Sequence, residues 1–201
     1  PSLSGTSVYR DFVELPSQML ENWCYEEEAL KLFAFHYETG ELIPMELVQK
    51  IKDSANFLEA TRMVRQLNFG TLDMAWHTAN TADISTVGDF EKEATKATQL
   101  YPYNDATNVS TAFSHIFQGG YAAGYYSYKW AEVLDADTFE HFKEHDIFSK
   151  EIGQSFMDNI LSKGGSEHPM ELYKRFRGKE PDNSALLRRA GLLKETEGQL
   201  T

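Results

Sequence analysis

The stretch FLEATRMVRQLNFGTLDMAWHT, residues 57–78, decides the fold. It is too long for a typical strand, and its apolar side chains keep to the three- and four-residue spacing of a helix. It reads as one long, mostly apolar helix ending near Thr78. The same pattern extends upstream. Pro44 suits the first turn of a helix over MELVQKIKDSAN, residues 45–56. Before it a helix runs from about Glu26 to His36 and stops near Thr39-Gly40. From about Thr6 to Cys24, Val8, Phe12, Leu15, Met19, Leu20 and Trp23 sit at roughly helical intervals. Pro16 is expected to bend or loosen one turn of that run, because it removes a backbone donor.

Downstream, VGDFEKEATKATQL (residues 87–100) is a charged, weakly amphipathic helix. The segment YPYNDATNVSTAFSHIFQGGYAAGYYSYKW (residues 101–130) is poor in charge, rich in Gly and Tyr, and leads into a helix through about His145. Helices over 149–163, 169–178 and around 183–191 complete the series. No internal repeat, Pro/Ser linker or alternating strand pattern interrupts it. The expected fold class is all-α, with residues 1–193 forming the helical part and the polar tail KETEGQLT, residues 194–201, disordered.

Two hundred and one residues suffice for one large domain or two small ones. The 41% hydrophobic and 13% aromatic content is that of a folded globular chain. Thirty-one acidic residues against nineteen basic leave a net charge of −12, which argues against nucleic acid and against an anionic membrane surface as partners. No run approaches the ~18 consecutive apolar residues of a membrane span. Cys24 is the sole cysteine, which excludes an internal disulfide and a cysteine-rich zinc site. Six histidines, His36, His77, His115, His141, His145 and His168, are the scarce groups for metal or acid–base chemistry. The opening PSLSGTSVYRDF has no Met, no basic region and no apolar core, so it does not read as a signal peptide. It does not read as a natural start either, and the chain is expected to be cut from something longer.

Three constellations could carry chemistry. Asp11, Glu14 and Gln18 would share one face of the first helix. In the plain reading they are a solvated face with an Arg10–Glu14 pair; in the functional one Glu14 is a metal ligand supported by Asp11. On composition alone the plain reading leads; what speaks for the functional one is the apolar setting of Phe12, Val13, Leu15 and Pro16, since a buried carboxylate needs a partner. Second, Tyr121, Tyr125 and Tyr128 follow Gly119-Gly120 at i, i+4 and i+7, with His115 just upstream. They form either an aromatic core stripe or a face of phenolic donors suited to an anion or developing oxyanion. Third, His141-Phe142-Lys143-Glu144-His145 spells the H-x-x-E-H pattern of inverted zinc peptidases. Its acidic context, DADTFEHFKEHDIF, with Phe139, Phe142 and Ile147 supplying the buried side, reads as a solvated helix carrying a decoy.

Four blocks together go further: GTSVYRDFVELPSQMLENW (5–23), FSHIFQGGYAAGYYSYKWAEV (113–133), ILSKGGSEHPMELYKRFRGKEPD (160–182) and LLRRAGL (186–192). In that order, and over essentially the whole chain, they resemble the thimet oligopeptidase/neurolysin family of zinc metallopeptidases, with a look of its bacterial peptidyl-dipeptidase branch. Such enzymes bind one Zn2+ through two histidines of an H-E-x-x-H helix and a later glutamate. The resemblance implies that Glu14 of DFVE is that third ligand, with Asp11 inferred as outer-shell support. No H-E-x-x-H occurs in these 201 residues, so the chain is expected to be the C-terminal portion of such an enzyme and inactive alone. His115 and Tyr128 match positions that stabilise the tetrahedral intermediate and bind the substrate backbone. Tyr121 and Tyr125 lie in the block the family uses as a mobile substrate-binding loop.

The implied substrates are short oligopeptides, cut by a peptidyl-dipeptidase or oligopeptidase in the cytoplasm. The implied partner is the missing N-terminal part of the same polypeptide. Two other readings stand beside this one: a non-catalytic helical module that binds a peptide through the tyrosines, and a self-contained zinc hydrolase built on His141, Glu144 and His145.

Overall fold

The fold is that of a computed structural model, described over residues 2–193; the tail expected at 194–201 lies outside the described residues. These form ten α-helices: α1 (Leu15–Glu21), α2 (Glu27–Phe33), α3 (Met45–Ala55), α4 (Glu59–Thr78), α5 (Val87–Thr95), α6 (Ser114–Phe117), α7 (Ser127–Lys143), α8 (Lys150–Phe156), α9 (Pro169–Arg177) and α10 (Ser184–Arg189). Among the described residues the one strand-like feature is an isolated antiparallel bridge between Phe35 and Leu42, so the class is all-α, as the periodicity implies. None of these helices is long and apolar enough to cross a membrane. The chain divides into two compact units, residues 2–59 with 131–193, and residues 60–130.

In the first unit the opening segment departs from the expected long helix. Residues 2–14 are turns, and helix begins only at Leu15. The reason is Pro16. It stands in the first turn, where the missing N–H is one the helix leaves unpaired anyway, so it starts α1 instead of bending it. Asp11, Glu14 and Gln18 therefore do not share a helix face: Asp11 is in the preceding turn and Glu14 is the N-cap. Ser2 to Ser7 lie against the Gly164-Gly165 pair. A Cβ on Gly164 would sit 2.6 Å from the Ser2 carbonyl oxygen, which instead accepts the Gly165 N–H at 2.7 Å.

The middle and C-terminal part of α7 is the axis of this unit. Ala131, Leu134, Phe139 and Phe142 are buried, and Trp23 packs edge-on to Phe139 and Phe142 at 4.7 and 5.1 Å while its Nε1 donates to the Ile147 carbonyl. Two carboxylates, Asp135 and Asp137, are buried on the same helix. Each is answered, as a buried charge must be. Asp135 takes both nitrogens of the Arg189 fork. Asp137 accepts from Arg177 at 3.1 Å through each oxygen and from the Tyr173 hydroxyl at 2.6 Å, with Lys179 at 3.0 Å. The arginines of the FRG and LLRRAG blocks are thus the counter-charges of α7.

The second unit is built on α4. Trp76 packs on Phe90 of α5 at 4.2 Å and donates its indole N–H to the Ser110 hydroxyl at 2.7 Å. Glu91, on α5 and 2% exposed, gathers the following loop by accepting the N–H groups of Ser110 and Val109 and the Tyr103 hydroxyl. Burial pushes its carboxyl upward, but the hydrogen bonds from Ser110, Tyr103 and Val109 outweigh it and hold the group below its ordinary value.

Candidate active site

In the second unit the glycine- and tyrosine-rich segment folds as linked turns. His115 sits on the short α6 and is exposed. The chain then doubles back so closely that a Cβ on Gly119 would lie 2.8 Å from the His115 Cα, a place only glycine can occupy. Gly120 follows with φ +80°, and the Tyr121 N–H returns to the His115 carbonyl at 3.1 Å. Ala123 adopts φ +50°, a left-handed conformation that costs a residue with a Cβ about 1–2 kcal/mol.

These turns overturn the expectation of a tyrosine stripe along one helix. Tyr121 and Tyr125 precede α7, and of the three only Tyr128 is helical. The positive φ values at Gly120 and Ala123 are incompatible with a right-handed helix. The rings nevertheless converge. Tyr121 stacks on Tyr128 with centroids 4.9 Å apart, Tyr125 meets Tyr128 at 5.3 Å, and His115 stands 6.1 Å from Tyr121 and 5.9 Å, edge-on, from Tyr125. Phe69 of α4 and Phe113 back Tyr125 at 5.7 and 4.8 Å. One imidazole and three phenols thus meet on an aromatic floor. Burial, then the neighbouring Tyr128, push the Tyr125 phenol above its ordinary value, so it keeps its proton at neutral pH and remains a donor.

What pins this segment is a residue the sequence reading passed over. Asp73 of α4, 0% exposed, accepts the Ala123 N–H at 2.9 Å on one oxygen and the Tyr125 N–H at 2.8 Å on the other. His77, one turn along, places Nδ1 2.9 Å from the first oxygen, 2.8 Å from the Asp73 carbonyl and 3.4 Å from the Ala123 N–H. The signal was present: a lone carboxylate in the apolar run LNFGTLDMAW, four residues before a histidine. Charge buried in such a setting needs a stated partner.

In the first unit Glu14 is half-buried, and its carbonyl takes the Ser17 hydroxyl and the Gln18 N–H. Asp11 is likewise half-buried. Zinc requires at least three protein ligands. Among the described residues, no other His, Cys, Asp or Glu gathers with Glu14 into a metal-sized group, so Glu14 offers one ligand and not a complete site.

The group that does gather is His141, Glu144 and His145, whose ligand atoms all lie within 4.8 Å of one another. The expected solvated face describes Glu144 and His145, which are exposed, but not His141, whose Nδ1 is buried with no hydrogen-bond partner. Burial and then the Arg177 guanidinium push this imidazole below its ordinary value, against the opposing pull of Glu144.

Over 192 residues the chain is 50% identical to oligopeptidase A of Escherichia coli K12, covering 94% of this chain and 28% of that protein. Dipeptidyl carboxypeptidase of the same organism is 39% identical over 193 residues, 95% of this chain and 28% of the relative. A probable cytosolic oligopeptidase A of Arabidopsis thaliana is 44% identical over 188 residues, 91% and 27% of the two chains. The chain therefore spans little more than a quarter of the length of these relatives. The family model for peptidase family M3 matches residues 1–192, a range that holds Glu14, Asp73 and the whole His115–Tyr128 segment; the chain belongs to peptidase family M3.

Proposed function

We propose that the chain is part of a zinc metallopeptidase that hydrolyses short oligopeptides, as an oligopeptidase or peptidyl-dipeptidase. Its relatives' names and the family match support that reading. In it, Glu14 supplies the third ligand of one Zn2+, with Asp11 orienting it and two imidazoles contributed by sequence outside these 201 residues. That ion, when bound, polarises the peptide carbonyl and acidifies a water. The residues of the second unit bind and donate. Tyr128 and His115 give hydrogen bonds to the carbonyl oxygen as it gains charge, and Tyr121 and Tyr125 hold the peptide backbone.

The observation that carries this reading is the convergence of one imidazole and three phenols on a segment pinned by Asp73. Donors fixed in advance need no reorganisation when charge develops, which is where a transition state is stabilised over its ground state.

Several large apolar side chains of the first unit stand in solvent, among them Leu32 at 69% and Tyr37 at 88% exposure. A chain that forms about a quarter of its relatives leaves such a surface for the remainder of the polypeptide to cover. In this reading the chain alone, without the two imidazoles, is inactive, and the intact enzyme works in the cytoplasm.

The test is Tyr128→Phe in the full-length enzyme. Turnover should fall about 10²- to 10³-fold, the usual effect of losing one oxyanion donor, with bound zinc unchanged by metal analysis. Unaltered turnover would remove Tyr128 from the chemistry.

A further inference from the structure

The C-terminal end of α7 holds a cluster that the peptidase reading does not use. We propose that His141, Glu144 and His145 form a separate binding site for a borderline divalent transition-metal ion such as Zn2+, Ni2+ or Cu2+.

Four observations carry it. The two histidines are four residues apart, His141 in the last turn of α7 and His145 in the turn that follows, where its N–H returns to the Phe142 carbonyl at 3.1 Å, and their rings meet edge-on with centroids 5.1 Å apart. Glu144 falls between them in sequence, and one ligand atom from each of the three lies within 4.8 Å of the others. His145 Nδ1 lies 3.0 Å from the His141 carbonyl, so that contact takes the ring proton and leaves the Nε2 lone pair free. Such a backbone anchor is the usual way a metal-binding imidazole is fixed in tautomer and direction. Last, His141 Nδ1 is buried without a hydrogen-bond partner. Its nearest acidic atom is Glu144 Oε2 at 3.6 Å, too long for a hydrogen bond. An ion seated between them gives this nitrogen the partner it lacks.

The surroundings tolerate a cation. Glu144 turns its other oxygen toward Arg177 Nη2 at 3.9 Å, but that guanidinium is already paired with buried Asp137 through two bonds of 3.1 Å. The Phe176 ring, 5.8 Å from that of His141, closes one side of the site. Two nitrogens and one oxygen select borderline metals over Mg2+ and Ca2+, which demand an all-oxygen shell.

The 201-residue chain, stripped with chelator and titrated with ZnCl2 by calorimetry, should bind one ion, and CaCl2 should give no comparable signal. His141→Asn/His145→Asn should weaken Zn2+ binding more than about 100-fold, since even losing a residue that only orients a ligand typically costs 10- to 100-fold. Glu144→Gln should weaken it, and Glu14→Gln should leave it unchanged, which separates this site from the peptidase zinc. CuCl2 titration followed by electron paramagnetic resonance should show coupling to two imidazole nitrogens, one of them lost in His145→Asn. That single change sits at an exposed position and serves if the double variant does not fold by circular dichroism. Absence of Zn2+ binding, binding that survives loss of both histidines, or binding abolished by Glu14→Gln would each overturn the assignment.

Discussion

Asp73→Asn isolates the device that holds the tyrosine segment, because it keeps the side chain's volume and changes only what its atoms can do. The carboxylate is fully buried and accepts one backbone N–H on each oxygen, at 2.9 and 2.8 Å. An asparagine keeps one acceptor and turns the other position into a donor that faces a donor. One N–H is orphaned and one amide N–H is left pressing on it, at about 1–3 kcal/mol for each unsatisfied group. The left-handed Ala123 adds its own strain, which the lost bond no longer offsets. Detachment of the segment should therefore become easier by about 2–6 kcal/mol. Amide exchange at Ala123 and Tyr125 should quicken at least tenfold, while Leu72 and Trp76 lose far less protection. In the full-length enzyme the same change should lower kcat as well as raise KM, since the phenols remain but are no longer fixed in advance of the charge they stabilise. Ala123→Gly should restore part of the loss, because glycine adopts a φ of +50° without the Cβ penalty. Exchange within twofold of the parent at both amides would refute the idea that Asp73 holds this segment.

Two further outcomes test the buried polar groups. The Glu91 carboxyl is held below its ordinary value, burial being outweighed by the bonds from Ser110, Tyr103 and Val109; its contribution is present above the unfolded value near 4.5 and is lost as pH falls through the folded one. Glu91→Gln should lower stability at pH 7 by about 1–3 kcal/mol and flatten the acid limb of a urea-midpoint profile, and an unchanged acid limb would contradict it. The Tyr173 phenol is pushed far above its ordinary value by burial first, then by its bond to Asp137. Its contribution is intact below the unfolded value near 10 and is lost as pH rises beyond it. Tyr173→Phe should lower stability at pH 7 by about 1–2 kcal/mol and flatten the alkaline limb; a limb as steep as the parent's would assign the alkaline loss to other groups.

The apolar spacing of residues 57–78 and its continuation on both sides was enough to read an all-α chain, because a helix buries one stripe and that stripe is written locally at three- and four-residue intervals. The resemblance of four blocks was equally legible, and it pointed to peptidase family M3 from residues alone. Where the reading slipped, the cause was a local signal with two outcomes. Pro16 can bend a helix or begin one, and only the turns formed by residues 2–14, lying against Gly164 and Gly165, decide that it begins one. Tyr121, Tyr125 and Tyr128 keep helical spacing on paper, but Asp73, some fifty residues upstream, draws the Ala123 and Tyr125 amides out of a helix. His141 looks solvated by its acidic neighbours in sequence, whereas it is half-buried, with its orphaned Nδ1 covered by packing that includes Phe176, on another helix. Sequence by itself determined the helical class, the family and the kinds of group available, since these depend on local periodicity and residue chemistry. Which of those groups meet, which are held and which are left wanting a partner was decided by tertiary structure, because hydrogen bonds and ring contacts act over a few ångströms of space regardless of distance along the chain.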